Sequence, residues 1–242
     1  MPFTFAHPAA VLPLRRRLWL PGLVAGSVVP DLAYYLPVPG GAELTHSVLG
    51  VVGVDLLLGL ALLALARPAL APLLALCPAG WRDRVAPPRG RTRWPVALAS
   101  LAVGAATHVV WDTFTHTDGV AVRQWSLLRE SVVGPHRVYN VIGYASSLGG
   151  LLLLGFVVAR WYRRSTRDHG TRWPVLPRTT RALVLGGIGL AVVVGAVIGF
   201  ADPVSRISAY DCVRNVLVGG VQGAGLAVAL YVLGWHLSPT TP

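Results

Sequence analysis

Six long apolar runs, separated by arginine-rich connections, constrain this chain more than any other feature of its sequence. A helix rises about 1.5 Å per residue, so about 20 apolar residues cross the roughly 30 Å hydrocarbon core of a membrane. Four runs meet that length cleanly, whereas the first is broken by Pro21, Gly22 and Pro30, and the third turns amphipathic in its second half. The runs are 18–36, 47–66, 95–115, 141–160, 182–200 and 213–237.

The composition supports a membrane protein and excludes most other classes. Hydrophobic residues make up 54% of the 242 positions and charged residues only 13%, whereas a soluble domain is about 25% charged. Disordered chains and disulfide scaffolds are excluded on the same grounds. We therefore expect a single all-α domain over residues 1–242, a polytopic bundle of about five full transmembrane helices plus an N-terminal short helix or hairpin.

The broken first run suggests a hairpin rather than a simple span. A short helix opened by His7 and Pro8 would run to about Arg17, and Pro21-Gly22 would then turn the chain back. The apolar stretch 69–76 is too short to cross a membrane. We expect it to lie along the cytoplasmic interface.

The distribution of arginine predicts the orientation of the chain. All 21 basic residues are Arg, and the net charge is +11, but the arginines flank apolar runs instead of forming a basic domain, so we expect no nucleic-acid partner. Sixteen of them fall in alternate connections and only five in the others. The positive-inside rule then places both termini in the cytoplasm. The same topology puts Cys77 and Cys212 on opposite sides of the membrane, which argues against a disulfide.

The strongest chemical signal is a stripe of His108, Asp112 and His116 in the third run. Residues four apart share one helix face, and His and Asp one turn apart can chelate a divalent ion. His116 lies about 12 Å along the axis from His108, so either the helix distorts near His116 or Asp112 bridges two metal ions. A polar helix end at the outer interface is the simpler alternative for any single histidine, but ionisable groups inside a membrane are costly and point to function.

Three further residues are expected to join this stripe. Counted at helical rise from the cytoplasmic face, His7 lies at about 15 Å, Asp31 at about 21 Å and His108 at about 20 Å, and His46 lies at the outer start of the second run. Asp55 comes nine residues after His46, on the opposite face of a helix. We interpret Asp55 as a buried hydrogen-bonding or packing carboxylate and not as a metal ligand.

The sequence resembles an uncharacterised bacterial membrane family, a domain of unknown function. The resemblance is carried by MPFTFAHP at the start, Gly26-Ser27 with Pro30-Asp31, Thr45-His46-Ser47, and HVVWDTFTH over 108–116. The Pro-Asp, Thr-His-Ser and His-x3-Asp elements are also similar to inner-membrane metal-dependent hydrolases and, more faintly, to zinc-dependent phospholipases C. These resemblances imply a location in the bacterial inner membrane. They also imply a ligand set of His7, Asp31, His46, His108, Asp112 and His116.

These features favour a metal-dependent hydrolase acting on a lipid or lipid phosphate at the outer leaflet. Zinc is the expected metal, with Mn or Fe also compatible with mixed His and carboxylate ligands. Asp31 and Asp112 are the expected catalytic carboxylates, as metal bridge or general base, and membrane lipids are the expected partners. An interfacial segment over 120–133 would form a lip for the substrate. The alternative is a non-enzymatic membrane protein with a structural or transported metal. The arginines expected outside, each able to hold a lipid phosphate, are Arg123, Arg129, Arg137, Arg206 and Arg214.

Overall fold

Eleven α-helices, five short 3-10 helices and one small hairpin build the described part of the chain, residues 3–87, 93–167 and 173–238 of a computed structural model. Five of the helices are long and apolar enough to cross a membrane, so the all-α, polytopic class is confirmed. The helices are α1 Pro8–Val11, α2 Leu20–Val28, α3 Gly41–Thr45, α4 Val48–Val52, α5 Val54–Leu76, α6 Ala79–Arg82, α7 Trp94–Asp112, α8 Val120–Gln124, α9 Val138–Arg164, α10 Arg178–Ala201 and α11 Ala209–Leu237. The 3-10 helices are Thr4–Ala6, Leu12–Arg16, Val29–Tyr34, Ser126–Arg129 and Pro203–Arg206.

The N-terminal region forms the expected helical hairpin. Its first arm runs from the 3-10 helix Thr4–Ala6 through α1 to the 3-10 helix Leu12–Arg16. The chain turns over 17–19, slightly earlier than predicted, because Pro21 occupies the first turn of α2, where its missing N–H costs nothing. The backbone N–H of Phe3 donates to Ser147 Oγ of α9 at 2.9 Å, which fixes the start of the hairpin against that helix. The placement of both termini in the cytoplasm stays a prediction.

The second predicted span has different boundaries from those expected. Gly53 separates α4 from α5, and α5 continues to Leu76, so the prediction of a separate interfacial segment over 69–76 was wrong. Proline is expected to end a helix, yet Pro68 and Pro72 both lie inside α5. Pro72 has no N–H to offer the carbonyl of Pro68, and His236 Nε2 lies 3.1 Å from that oxygen instead. A donor from another helix, His236 of α11, thus replaces the helical hydrogen bond that Pro72 cannot make.

Helices α2 and α7 approach each other closely because each presents a glycine at the contact. A Cβ on Gly26 would collide with the Leu101 carbonyl oxygen, and one on Gly104 with the Leu23 carbonyl oxygen. Helix α7 is also the most buried of the five candidate spans. In its most apolar stretch 33% of the residues are buried, compared with 11% or less in the other four. The pair α2–α7 is therefore the centre on which neighbouring segments are assembled.

The connection between α7 and α9 is a folded segment with its own small core. Helix α8, the 3-10 helix Ser126–Arg129 and an antiparallel hairpin of β1 (Ser131–Val133) and β2 (His136–Arg137) follow one another. Ala121, Val122, Leu128 and Tyr139 are buried together here. The hairpin tip exposes Val132 and Val133. This is the segment that the sequence suggested as an interfacial lip.

The chain divides into two compact units. The first comprises residues 3–64 and 93–165 of the described chain, and the second comprises 65–87, 166–167 and 173–238. In the second unit α10 and α11 pack through facing glycines, since a Cβ on Gly195 would meet the Gly219 carbonyl and the reverse. This is the small-residue contact expected between helices in lipid. The description as one domain stays a prediction.

Candidate metal centre

Four of the predicted ligands meet in the first unit. Asp31, His46, His108 and Asp112 each offer one ligand atom, and these atoms lie within 4.8 Å of one another. His108 Nε2 is 3.4 Å from Asp31 Oδ1 and 3.4 Å from Asp112 Oδ2. His46 Nε2 is 3.5 Å from each of the same two oxygens. The two imidazole nitrogens and the two carboxylate oxygens therefore alternate around a common centre.

The size of this arrangement suits a small divalent cation. Ligand atoms bound at about 2.0–2.1 Å to a tetrahedral zinc ion are separated from one another by about 3.3–3.4 Å. The four nitrogen-to-oxygen distances of 3.4–3.5 Å match that spacing. Four of the six pairwise distances therefore match, and the cluster could hold a divalent metal ion.

The tautomers of the two histidines also match those of metal ligands. His108 Nδ1 lies 2.7 Å from the Ser27 carbonyl oxygen, and His46 Nδ1 lies 2.9 Å from the Ala42 carbonyl oxygen. A carbonyl only accepts, so each Nδ1 carries the proton and donates it, and the Nε2 lone pair is directed at the carboxylates. Neither Nε2 nor the facing oxygens have a hydrogen-bond partner among the described residues. Lone pairs facing lone pairs need a cation, either a proton or a metal ion, between them.

Local structure fixes the positions of Asp31 and His46. Pro30 starts a 3-10 turn at the end of α2, and this turn carries Asp31, which is fully buried. Thr45 donates from Oγ1 to the Pro30 carbonyl at 2.8 Å and so ties α3 to the Asp31 turn. His46 ends α3, and Ser47 caps the next helix by accepting from Gly50 N at 3.0 Å. The Thr-His-Ser motif therefore holds His46 between two helix ends.

His7 borders the cluster on one side. Its Nε2 is 3.6 Å from Asp112 Oδ1, and its ring stacks on the ring of His108 with centroids 3.7 Å apart. His7 Nε2 is buried without a hydrogen-bond partner among the described residues. It lies outside the group of four and contacts the other oxygen of Asp112, so its role as a ligand stays a prediction.

His116 lies just beyond the end of α7 at Asp112 and keeps a helical hydrogen bond to that residue. Its backbone N–H donates to the Asp112 carbonyl at 3.0 Å, and its Nε2 lies 2.9 Å from Asp112 Oδ2. The two alternatives that the sequence offers, a distorted helix near His116 and two metal ions bridged by Asp112, both stay predictions. His116 is adjacent to the group of four, and its role as a ligand also stays a prediction.

The pKa values of His7 and His46 are shifted in opposite directions. Burial, followed by the neighbouring His108, lowers the pKa of His7 to about 4. Burial also acts to lower the pKa of His46, but the facing carboxylates of Asp112 and Asp31 outweigh it and raise the pKa to about 9. The difference follows from position, since His46 faces two carboxylates and His7 faces one carboxylate and another imidazole.

The cluster is closed on the side of His108 and Asp31 and partly exposed on the side of His46 and His116. The side chains of His108 and Asp31 are 0% and 1% exposed, whereas those of His46 and His116 are 16% and 20% exposed. The Nε2 atoms of His46 and His116 that face the cluster are buried, so solvent reaches only the outer parts of these two rings. This is the side of the centre nearest to solvent.

Asp55 and the other histidines do not belong to the group of four, although Asp55 interacts electrostatically with His46 and His108. Asp55 is 1% exposed and neither of its oxygens has a hydrogen-bond partner among the described residues, so the expectation that it is buried holds but no hydrogen bond accompanies it. His136 is exposed and lies 3.3 Å from the hydroxyl of Tyr144. His169 falls outside the described residues.

Sequence reasoning missed the backbone groups that orient the histidines. The carbonyls of Ser27 and Ala42 carry no side-chain signature, so no pattern of residue types could have identified them. It also missed a cavity beside His7, bounded by Trp111 and one face of α9. The sequence did contain a signal for this cavity, because small residues recur at helical spacing in the fourth apolar run. That run was interpreted only as a membrane span, and the small residues are Ser146, Gly149 and Gly150.

A family model described as a domain of unknown function, DUF4184, matches residues 1–233. The chain therefore belongs to the DUF4184 family, as the resemblance in its motifs predicted. No curated protein and no solved structure matches it.

Proposed function

We propose that this DUF4184 member is a metal-dependent hydrolase that acts on a lipid phosphate at the membrane surface. The observation that carries the proposal is the group of two histidines and two aspartates with unpartnered ligand atoms at the spacing of a coordination shell. A divalent ion bound there would polarise a phosphoryl oxygen and acidify a water molecule. Zinc fits the donor set best, and Mn and Fe(II) are alternatives.

The side chains would have two roles, binding of the metal ion and transfer of a proton. His46 and His108 bind through Nε2, with their tautomers fixed by the Ala42 and Ser27 carbonyls. Asp31 and Asp112 contribute one oxygen each to the shell. The second oxygen of each carboxylate remains to take a proton from the attacking water, which is the catalytic role expected from the sequence.

The loop between α7 and α9 supports a substrate with a charged head group at an interface. It carries Arg123, Arg129 and Arg137 near exposed apolar residues. Arg129 Nη1 donates to the Arg123 carbonyl and Arg137 Nη1 donates to the Arg129 carbonyl. The guanidinium groups of Arg129 and Arg137 therefore also stabilise the backbone of the loop. Arg206 and Arg214 belong to the second unit.

Metal analysis with a substrate screen tests the proposal. We expect about one or more equivalents of Zn, Mn or Fe in protein purified in detergent, and loss of metal in His108→Ala and Asp112→Ala. The metal-loaded protein should release phosphate or a phosphorylated head group from phospholipid or isoprenoid phosphate. Metal bound in full without cleavage of any such lipid would contradict the hydrolase.

A structural metal site is the second candidate, and the complete burial of Asp31 and His108 favours it. A structural site is closed and contributes directly to folding stability. Under this alternative, chelation would lower the melting temperature of the protein and no lipid would be hydrolysed. Under the hydrolase, chelation would abolish turnover.

A further inference from the structure

A cavity of about 300 Å³ lies beside the candidate metal centre, between α1 and α9. One wall is the face of α9 formed by Ser146, Gly149, Gly150 and Leu153, which are spaced i, i+3, i+4 and i+7. The opposite wall includes Ala10 of the N-terminal hairpin. The volume is at the lower end of the range for ligand pockets. We call it the α9 groove.

Two neighbouring glycines give the α9 groove its shape. A Cβ on Gly150 would come within 2.9 Å of the Ala6 carbonyl oxygen, so this glycine lets the hairpin approach α9. A Cβ on Gly149 would have no atom within 4 Å, so this glycine leaves open space. One glycine brings the two walls together and the other keeps room between them.

The α9 groove borders the metal centre at His7. His7 lines the groove, and its Nε2 is also 3.6 Å from Asp112 Oδ1. Trp111, the residue before Asp112, also lines the groove. A ligand in the groove would therefore have one end against His7, next to the cluster.

The lining selects an apolar occupant. Ser146 is its one hydroxyl, and that hydroxyl already donates to the Gly143 carbonyl at 3.0 Å. Helix α9 is a candidate membrane span whose neighbouring residues Leu148 and Leu152 are each 64% exposed. Inside a membrane, such a surface meets the hydrocarbon chains of lipids.

We infer that the α9 groove binds the hydrocarbon chain of a lipid whose polar head lies at the cluster of Asp31, His46, His108 and Asp112. This inference rests on the proposed function for the identity of the head group. Binding of the hydrocarbon chain in the groove would fix the depth of the lipid, and His7 would lie at the boundary between the hydrocarbon chain and the polar head. The substrate class is thus a lipid with a long hydrocarbon chain, as opposed to a water-soluble phosphate ester.

A photo-crosslinking experiment with a matched pair of variants tests the inference. The probe is a phosphatidic acid analogue with a diazirine on one acyl chain, incorporated in phosphatidylcholine nanodiscs that hold the full-length protein. Gly149→Leu fills the groove without a backbone clash. Gly155→Leu is the control, since a Cβ there also meets nothing within 4 Å and Gly155 does not line the groove.

We expect peptides containing 6–10 and 146–153 to be labelled in the wild type and in Gly155→Leu. Gly149→Leu should lower that labelling at least fivefold while its metal content stays the same, which shows that it has folded. Labelling spread evenly over lipid-facing residues, or crosslinks between two copies of the chain, would overturn the inference. Groove labelling without hydrolysis of any lipid would support the lipid site and count against the hydrolase alone.

Discussion

At the scale of single residues, the candidate centre depends on hydrogen bonds that orient its ligands. Thr45 is fully buried and links the Pro30 carbonyl, next to Asp31, with Nδ1 of His46, at 2.8 and 3.2 Å. We predict that Thr45→Val lowers metal affinity about tenfold, because such partners fix ligand orientation. Titration with zinc against a competing chelator measures this.

A second threonine provides the control for Thr45. Thr107 Oγ1 donates to the Gly104 carbonyl within α7 at 2.7 Å, a bond of the same kind that joins no ligand. Thr107→Val should keep wild-type affinity for zinc. Equal losses in the two variants would show that Thr45 acts through general stability and not through ligand orientation.

Two buried aspartates allow a direct test of which carboxylates bind metal. Asp31 and Asp55 are each at most 1% exposed, and both oxygens of each are unpartnered among the described residues. Only Asp31 belongs to the group of four. We predict that Asp31→Asn removes the metal and Asp55→Asn retains it, as measured by mass spectrometry of the purified proteins. Loss of metal from both would make Asp55 a ligand and would contradict the helix-face argument.

At the scale of elements, the centre requires α2 and α7 to stay in contact. The Asp31 turn follows α2, His108 and Asp112 lie on α7, and His108 donates to Ser27 across the pair. We predict that Gly104→Ala costs about 1–3 kcal/mol of stability, because its methyl group would meet the Leu23 carbonyl. Metal content should fall with it, since the ligands are on opposite sides of that contact.

A glycine in an open position gives the comparison for Gly104. A Cβ on Gly186 of α10 would meet nothing within 4 Å. Gly186→Ala should leave the melting temperature in detergent and the metal content unchanged or slightly improved, since alanine favours a helix by up to about 1 kcal/mol. An unchanged Gly104→Ala protein would mean that α2 and α7 can separate without loss of the site.

Particular elements show how far the sequence predicts this molecule. Apolar length predicted the spans, and depth at helical rise predicted that His7, Asp31, His46, His108 and Asp112 converge. In the structure Asp31, His46, His108 and Asp112 form one group, and His7 borders it. The end of α7 at Asp112 was left open, because a run of residues that all tolerate helix contains no stop signal. The continuation of α5 through Pro72 was missed, because His236, which bonds the Pro68 carbonyl in place of the absent Pro72 N–H, is 168 positions from Pro68.

At the scale of the whole molecule, the charge distribution predicts which side of the membrane the centre faces. Arginine counts predict that the connection before α7 is cytoplasmic, which would put Asp112, at the far end of α7, in the outer half. The proposal of an outer-leaflet substrate depends on that orientation. The same orientation would put Cys77, just after α5, inside and Cys212, in the first turn of α11, outside.

The two cysteines are free and partly exposed, which makes the orientation measurable. We predict that a membrane-impermeant maleimide labels Cys77→Ser in intact spheroplasts, through Cys212, and labels Cys212→Ser only after the membrane is permeabilised. The double variant, which lacks cysteine, controls for labelling elsewhere. The reverse pattern would invert the topology. It would place the centre in the cytoplasmic half, and a lipid substrate would then have to come from the inner leaflet.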